Sequence, residues 1–320
     1  VTDACATSDT SCFTVDITQS PTPSNAGLDQ LICDNLTVNL DATNPSVGEG
    51  YWSVVSGPNG GGSFSDTTDN QSTYSGGLPG VHQLEWRVEN GICPVSRDTV
   101  AITIAAAPTA GFQFQNVCAG TPIYFINSTQ SNGTQISSYS WDLTGNGVAN
   151  SLSQNVTYTY NTPGFYNVQL IATSLSCADT IEQVVEVYAN PQMSVSAGNV
   201  CMGTPTPFTN SNSIVTGAID STSWQFGDGT SSNGNGNINH VYSNGGQYNI
   251  TVTAVSNNGC EAQTVLQTDV FFNPKAKFKF LNACQYQLTE FQNQSSVNSA
   301  IITSNMWTFG DGQSSQLKHP

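Results

Sequence analysis

The constraint that most limits how this 320-residue chain can fold is a repeat of about 83 residues. Trp141, Trp224 and Trp307 stand 83 residues apart, and so do Cys118, Cys201 and Cys284. Cys93, Cys177 and Cys260 follow at intervals of 84 and 83, and Pro108, Pro191 and Pro274 open successive units. Three residue types keeping one period identify tandem domains, each so small that its core alone is marginal. The period sets full units at 21–106, 107–190 and 191–273. Residues 1–20 read as the last strand of a preceding domain and residues 274–320 as the N-terminal part of a further one, so the chain reads as an excerpt of a longer array.

Within each unit the apolar residues alternate at period two, the spacing of a half-buried strand. Tyr166, Val168, Leu170 and Ala172 share one face, Tyr248, Ile250, Val252 and Ala254 repeat it, and His82, Leu84, Trp86 and Val88 hold the same place in the first full unit. Short apolar runs are separated by Gly, Asn, Ser and Pro clusters, and no helical spacing of useful length occurs. About seven strands per unit, with a paired cysteine and a core Trp, predict an all-β chain of immunoglobulin-like β-sandwiches arranged as a rod.

The cysteines extend the pattern. Cys33 to Cys93, Cys118 to Cys177 and Cys201 to Cys260 are separated by 60, 59 and 59 residues, which predicts one disulfide inside each unit and an oxidising compartment. A loop of that length is worth roughly 4 kcal/mol in the chain-entropy picture. Cys284 would pair beyond the sequence. Cys5 aligns with Cys93, and either an upstream partner or a local bond to Cys12 satisfies it. Zinc is excluded by the absence of C-x-x-C and by only three histidines, His82, His240 and His319.

Charge removes further classes. Six Lys and Arg stand against 22 Asp and Glu, and none of the six lies between Arg97 and Lys275. Nucleic-acid binding rests on cationic side chains that neutralise phosphate, so this chain is not expected to bind nucleic acid. No apolar run reaches the length of a transmembrane helix.

Trp224-Gln225-Phe226-Gly227-Asp228-Gly229 and Trp307-Thr308-Phe309-Gly310-Asp311-Gly312 resemble the W-x-F-G-D-G signature of PKD domains. His240-Val241-Tyr242 and Gly246-Gln247-Tyr248 are similar to that family's later strands, whereas the 107–190 unit departs from the signature with Trp141-Asp142-Leu143-Thr144-Gly145-Asn146-Gly147. Residues 21–106, through Ala26-Gly27-Leu28-Asp29-Gln30, Ile32-Cys33, Tyr51-Trp52-Ser53 and Cys93, resemble a related PKD/Ig-like repeat of Bacteroidota surface proteins. The resemblance implies a segment of a very large cell-surface adhesin exported by the type IX secretion system, of the gliding-adhesin kind. Its partners would be neighbouring repeats, a surface or glycan ligand, and the outer-membrane secretion and motility machinery.

The Gly-Asp-Gly turns read first as tight hairpins. Asp142, Thr144 and Asn146 imitate the opening of a calcium loop, but Ser153 stands where a bidentate Glu is expected. No cofactor is expected, and calcium at these three residues is the one candidate the sequence offers. The repeated tryptophans read as core residues before sugar platforms. Short Asp-Ser/Thr sequons make Thr67, Thr99, Thr180 and Ser221 candidates for O-glycosylation. No nucleophile–His pair recurs and no carboxylate pair flanks a cleft, so no enzyme activity is expected. The function predicted is a non-catalytic, extracellular stalk or adhesin segment serving surface attachment or gliding. The alternative is an accessory or carbohydrate-binding PKD module of a secreted hydrolase.

Overall fold

The computed structural model describes residues 16–34, 37–59, 61–175 and 177–320, and every regular element in them is a β-strand. Cys5 and Cys12, with the strand expected before residue 16, lie outside the described residues. The strands from Gln30 to Ala105 are β1 (Gln30–Cys33), β2 (Val38–Asn39), β3 (Glu49–Ser56), β4 (Ser63–Phe64), β5 (Thr73–Ser75), β6 (Gly80–Glu89) and β7 (Ser96–Ala105). They form one sheet in the order β1-β7-β6-β3 and another in the order β2-β5-β4. Between the sheets lie Val38, Leu40, Trp52, Tyr74, Leu84, Trp86, Ile102 and Ile104.

The second set comprises β8 (Phe112–Gln113), β9 (Val117–Cys118), β10 (Pro122–Asn127), β11 (Ser138–Asp142), β12 (Val156–Thr159), β13 (Gly164–Ser174) and β14 (Cys177–Tyr188), in sheets ordered β12-β10-β8 and β11-β13-β14-β9. The third comprises β15 (Val195–Ala197), β16 (Val200–Cys201), β17 (Pro205–Asn210), β18 (Ile219–Gln225), β19 (Ser231–Asn233), β20 (Ile238–Val241), β21 (Gly246–Ser256) and β22 (Glu261–Phe271), in sheets ordered β15-β17-β20 and β16-β22-β21-β18-β19. Beyond them, β23 (Phe278–Phe280) pairs with β24 (Phe291–Asn293), and β25 (Trp307–Thr308) with β26 (Ser314–Ser315).

The alternating faces pack as expected. Val168, Leu170 and Ala172 are fully buried, as are Ile250, Val252 and Ala254, and His82, Leu84 and Trp86. Trp141 and Trp224 are 0% exposed, and their indole N–H groups donate to Ser153 O at 2.9 Å and Gly234 O at 3.3 Å. A satisfied, enclosed indole is a core residue and offers no ring face to a sugar.

The strand carrying the first cysteine of each set runs parallel to the last strand of the same set and ends level with its exit. Cys33 is paired with Ala105, Cys118 with Tyr188 and Cys201 with Phe271. The second cysteine sits at the opposite pole, at the hairpin that begins the last strand. The described residues gather into two compact units, divided within the second set of strands. The first includes residues up to Gln115 with Tyr124–Tyr158 and Tyr166–Val185, and the second contains Asn116–Ile123, Thr159–Phe165 and Glu186–Pro320.

Candidate functional site

The disulfides overturn the pairing expected from spacing. Cys33 is bonded to Cys177 and Cys118 to Cys260, with Cα–Cα distances of 5.5 and 5.6 Å and sequence separations of 144 and 142. Each bond lies within one compact unit. The expected bonds Cys33–Cys93, Cys118–Cys177 and Cys201–Cys260 are absent for a geometric reason. Each would have to span the last strand from end to end, about 30–36 Å at ~3.3 Å per residue, where a disulfide needs Cα atoms about 4.4–6.8 Å apart. The bond therefore joins the exit pole of one repeat to the entry hairpin of the next. Among the described residues Cys93 and Cys201 are free, as is Cys284.

The junction is built from backbone groups around the sulfurs. Asp34 N donates to Ala105 O at 2.9 Å, which holds the end of β1 on the strand leaving the first sandwich. Cys177 Sγ lies 3.7 Å from the same Ala105 oxygen, and the buried Ser174 hydroxyl donates to Ala106 O at 3.4 Å. The hairpin of the second repeat thus rests on Ala105 and Ala106, at the end of the strand leaving the first. At the second bond, Ala119 N donates to Tyr188 O at 2.9 Å, and Ser256 N to Cys260 O at 2.8 Å.

The acidic turns use their carboxylates on themselves. Asp142 Oδ1 accepts from the N–H groups of Thr144 (3.0 Å) and Gly145 (2.8 Å), and Oδ2 accepts from Gly147 N–H (2.6 Å). Burial alone would raise its pKa, but the backbone donors of Thr144, Gly147, Gly145 and Asn146 together outweigh it and hold the carboxyl below its ordinary range. Of the calcium candidates, Thr144 also points its hydroxyl at Asp142 Oδ1 (3.2 Å), while Asn146 Oδ1 accepts from Val148 N–H (2.9 Å). Donors therefore already engage the Asp142 and Asn146 oxygens that a cation would use. Among the described residues no group of three or more His, Cys, Asp or Glu is placed to hold a metal.

Asp228 solves the same turn differently. Its Oδ1 accepts from Thr230 Oγ1 (2.6 Å) and Thr230 N (3.0 Å), and its Oδ2 lies 2.7 Å from His240 Nε2. His240 stacks on Phe226 at 4.0 Å and meets Tyr242 edge-on at 4.6 Å. Burial would raise the Asp228 pKa, and the hydrogen bonds from Thr230 and His240 carry it below its ordinary value instead. Burial, with the Asp228 charge and Tyr248 nearby, pushes the Tyr242 hydroxyl up. Gly227 has φ +80°, and a Cβ there would stand 2.5 Å from Asn249 O, so the G-D-G turn needs a glycine at its first position for space as well as for conformation.

Thr67, Thr99, Thr180 and Ser221 are all exposed. The aspartates before two of them have a structural role that the sequence reading missed. Asp98 Oδ2 accepts from Ala26 N and Asp179 Oδ2 from Ala110 N, each at 2.8 Å, tying the entry segment of a repeat to its last strand. Their shared separation of 72 and 69 residues from the amide was the available signal. No helix among the described residues is long and apolar enough to cross a membrane.

Comparison with known proteins agrees on the kind of repeat. The sequence model of the PKD domain matches residues 105–189 and 188–270. No curated protein matches the chain. Among solved structures, the chain is similar to the three-Ig fragment I67–I69 of titin (E-to-A variant), with 12% identity, TM-score 0.47, and coverage of 79% of this chain and 98% of that one. It is also similar to the PKD1 domain of the Vibrio cholerae metalloprotease PrtV, with 32% identity, TM-score 0.23, and coverage of 25% and 96%. For the PKD1 domain of Vibrio anguillarum Epp the corresponding values are 27%, 0.23, 25% and 93%.

Proposed function

The chain belongs to the PKD domain family, and from that premise we propose that it is a non-catalytic, load-bearing segment of a large extracellular repeat protein. On this reading it is a stalk that holds an adhesive tip away from a bacterial surface, in attachment or gliding. The neighbouring repeats are its partners, and the secretion and motility machinery of the outer membrane handles the full polypeptide. The observation that carries the reading is the pair of disulfides, each of which bonds one repeat to the next. A module that only displayed a binding face would gain stability from a covalent bond across its joint but has no need of a fixed extension. A segment under tension gains a limit on its extension.

The size of that limit follows from the connectivity. Between Cys33 and Cys260 the backbone alone contains 227 residues, roughly 800 Å of contour at ~3.5 Å each. With both bonds intact the shortest covalent route crosses from Cys33 to Cys177, returns along the chain to Cys118, and crosses to Cys260. It includes only the 59 residues between Cys118 and Cys177, roughly 210 Å. Force therefore passes backwards through the middle repeat. Single-molecule pulling from both ends is expected to lengthen by several hundred ångströms when reductant is added. Equal contour lengths with and without reductant would remove the load-bearing reading. Strong, specific binding of this segment on a glycan array would instead favour the carbohydrate-binding alternative. The exposed hydroxyls of Thr67, Thr99, Thr180 and Ser221 are proposed O-glycan sites, read out as added mass on the corresponding peptides.

A further inference from the structure

We propose that Cys93 and Cys201 are each half of the same repeat-to-repeat disulfide, completed by a cysteine thiol of an adjoining repeat of the same kind. The inference rests on the tandem-repeat reading but not on adhesion or on any ligand.

Two bonded junctions define what each half looks like. The exit half is Cys118. Its strand is paired in parallel with the last strand of its own sandwich, opposite Tyr188. The next residue, Ala119, donates to Tyr188 O at 2.9 Å, Gly120 N donates to Tyr160 O at 2.8 Å, and Asn190 Nδ2 caps Ala119 O at 2.9 Å. Cys201 reproduces every one of these contacts. It lies opposite Phe271, Met202 N donates to Phe271 O at 2.9 Å, Gly203 N donates to Tyr242 O at 2.9 Å, and Asn273 Nδ2 caps Met202 O at 3.1 Å. The half-site is therefore complete in backbone and side chain, and its sulfur is exposed.

The entry half is Cys177, whose sulfur rests 3.7 Å from the carbonyl of Ala105, the residue that ends β7 and leads into its repeat. Cys93 has the same place in the first sandwich. It follows β6, precedes β7, and its sulfur lies 3.4 Å from the carbonyls of both Thr18 and Gln19, the residues that lead into that repeat. An isolated thiol on a loop would not be expected to reproduce either set of contacts. The two bonded junctions also fix the polarity, in that an exit-type cysteine bonds an entry-type cysteine of the following repeat. Cys201 therefore takes an entry-hairpin cysteine, and Cys93 takes an exit-strand cysteine.

Bond formation removes one proton and one electron from each thiol as the S–S bond forms. The two electrons and two protons pass to the disulfide of an oxidised dithiol protein or of oxidised glutathione, whose S–S bond breaks to give two thiols.

The test is a disulfide map of the full-length polypeptide taken from the cells that make it. Free thiols are blocked with iodoacetamide, and the unreduced protein is digested with pepsin in acid, where exchange is quenched. We expect Cys93 and Cys201 to be unlabelled and each cross-linked to a peptide of a neighbouring repeat, Cys93 to an exit-strand cysteine and Cys201 to a hairpin cysteine. Either residue found alkylated or capped by glutathione overturns the inference. So does Cys93 bonded to Cys5 or Cys12, Cys201 bonded to Cys284, or a Cys93–Cys201 link between copies. Loss of Cys33–Cys177 and Cys118–Cys260 from the same map would instead sink the load-bearing reading itself, so the two failures are distinguishable.

Discussion

Asp142 and Asp228 follow the same tryptophan of two successive repeats at different distances, and each carboxylate organises the turn that comes next. Both accept from the backbone N–H and hydroxyl of the residue two further on, Thr144 or Thr230; Asp142 adds the N–H groups of Gly145 and Gly147, while Asp228 adds the imidazole of His240 from a neighbouring strand. Removing a buried acceptor leaves its donors without partners, which costs about 1–3 kcal/mol. Asp142→Ala is therefore expected to destabilise the chain by about 2 kcal/mol in urea unfolding at neutral pH. Both carboxyls titrate lower in the folded than in the unfolded chain. Their stabilisation is thus complete above the unfolded value of about 4 and is lost as pH falls through the folded one. The gap between wild type and Asp142→Ala should close progressively below about pH 4. Because N–H donors already fill the Asp142 oxygens, adding calcium against a chelator should leave the melting temperature unchanged at neutral pH. A rise of several degrees would support calcium at Asp142, Thr144 and Asn146.

Strands are where the sequence was most readable. Period-two alternation names the buried face of β6, β13 and β21 residue by residue, because burial on one side of a sheet forces that spacing whatever the turns do. Polar groups that serve as ties were not readable in the same way. Asp98 and Asp179 look like sequon residues until their oxygens are seen on the amides of Ala26 and Ala110. The last segment shows what strand length does to local stability. β21 and β22 are 11 residues each, while β23 to β26 have two or three residues each, and Phe278 and Phe280 remain more than half exposed. Few buried contacts and short ladders mean low-energy opening. Hydrogen exchange followed by mass spectrometry should show residues 278–315 exchanging well before β21 and β22. Equal protection would contradict the assignment of stability to ladder length and burial.

At the level of the whole chain, the repeat was legible but the bonding was not, and the reason is arithmetic imposed by periodicity. In a periodic chain, a cysteine's distance to a partner in its own unit and to one in the next differ by one repeat, so spacing satisfies both. Only the backbone decides, because the parallel pairing of β1 with β7 carries Cys33 to the exit of its sandwich, a full strand length from Cys93. The two pairings have different thermal consequences. Bonds inside units would stabilise each domain separately, whereas bonds between units close loops that span two domains, with separations of 144 and 142 residues. Loops of that length are worth about 5 kcal/mol each in the chain-entropy picture, shared between neighbours. Replacing one bond with the Cys33→Ser, Cys177→Ser pair is then expected to separate a lower-melting transition of the first sandwich in calorimetry. The third, still bonded through Cys118 and Cys260, should keep its temperature. Reductant should produce the same separation at both joints, because it releases each repeat to melt alone. Thermograms that shift uniformly, with no new transition, would mean that the bonds stabilise the repeats without coupling them.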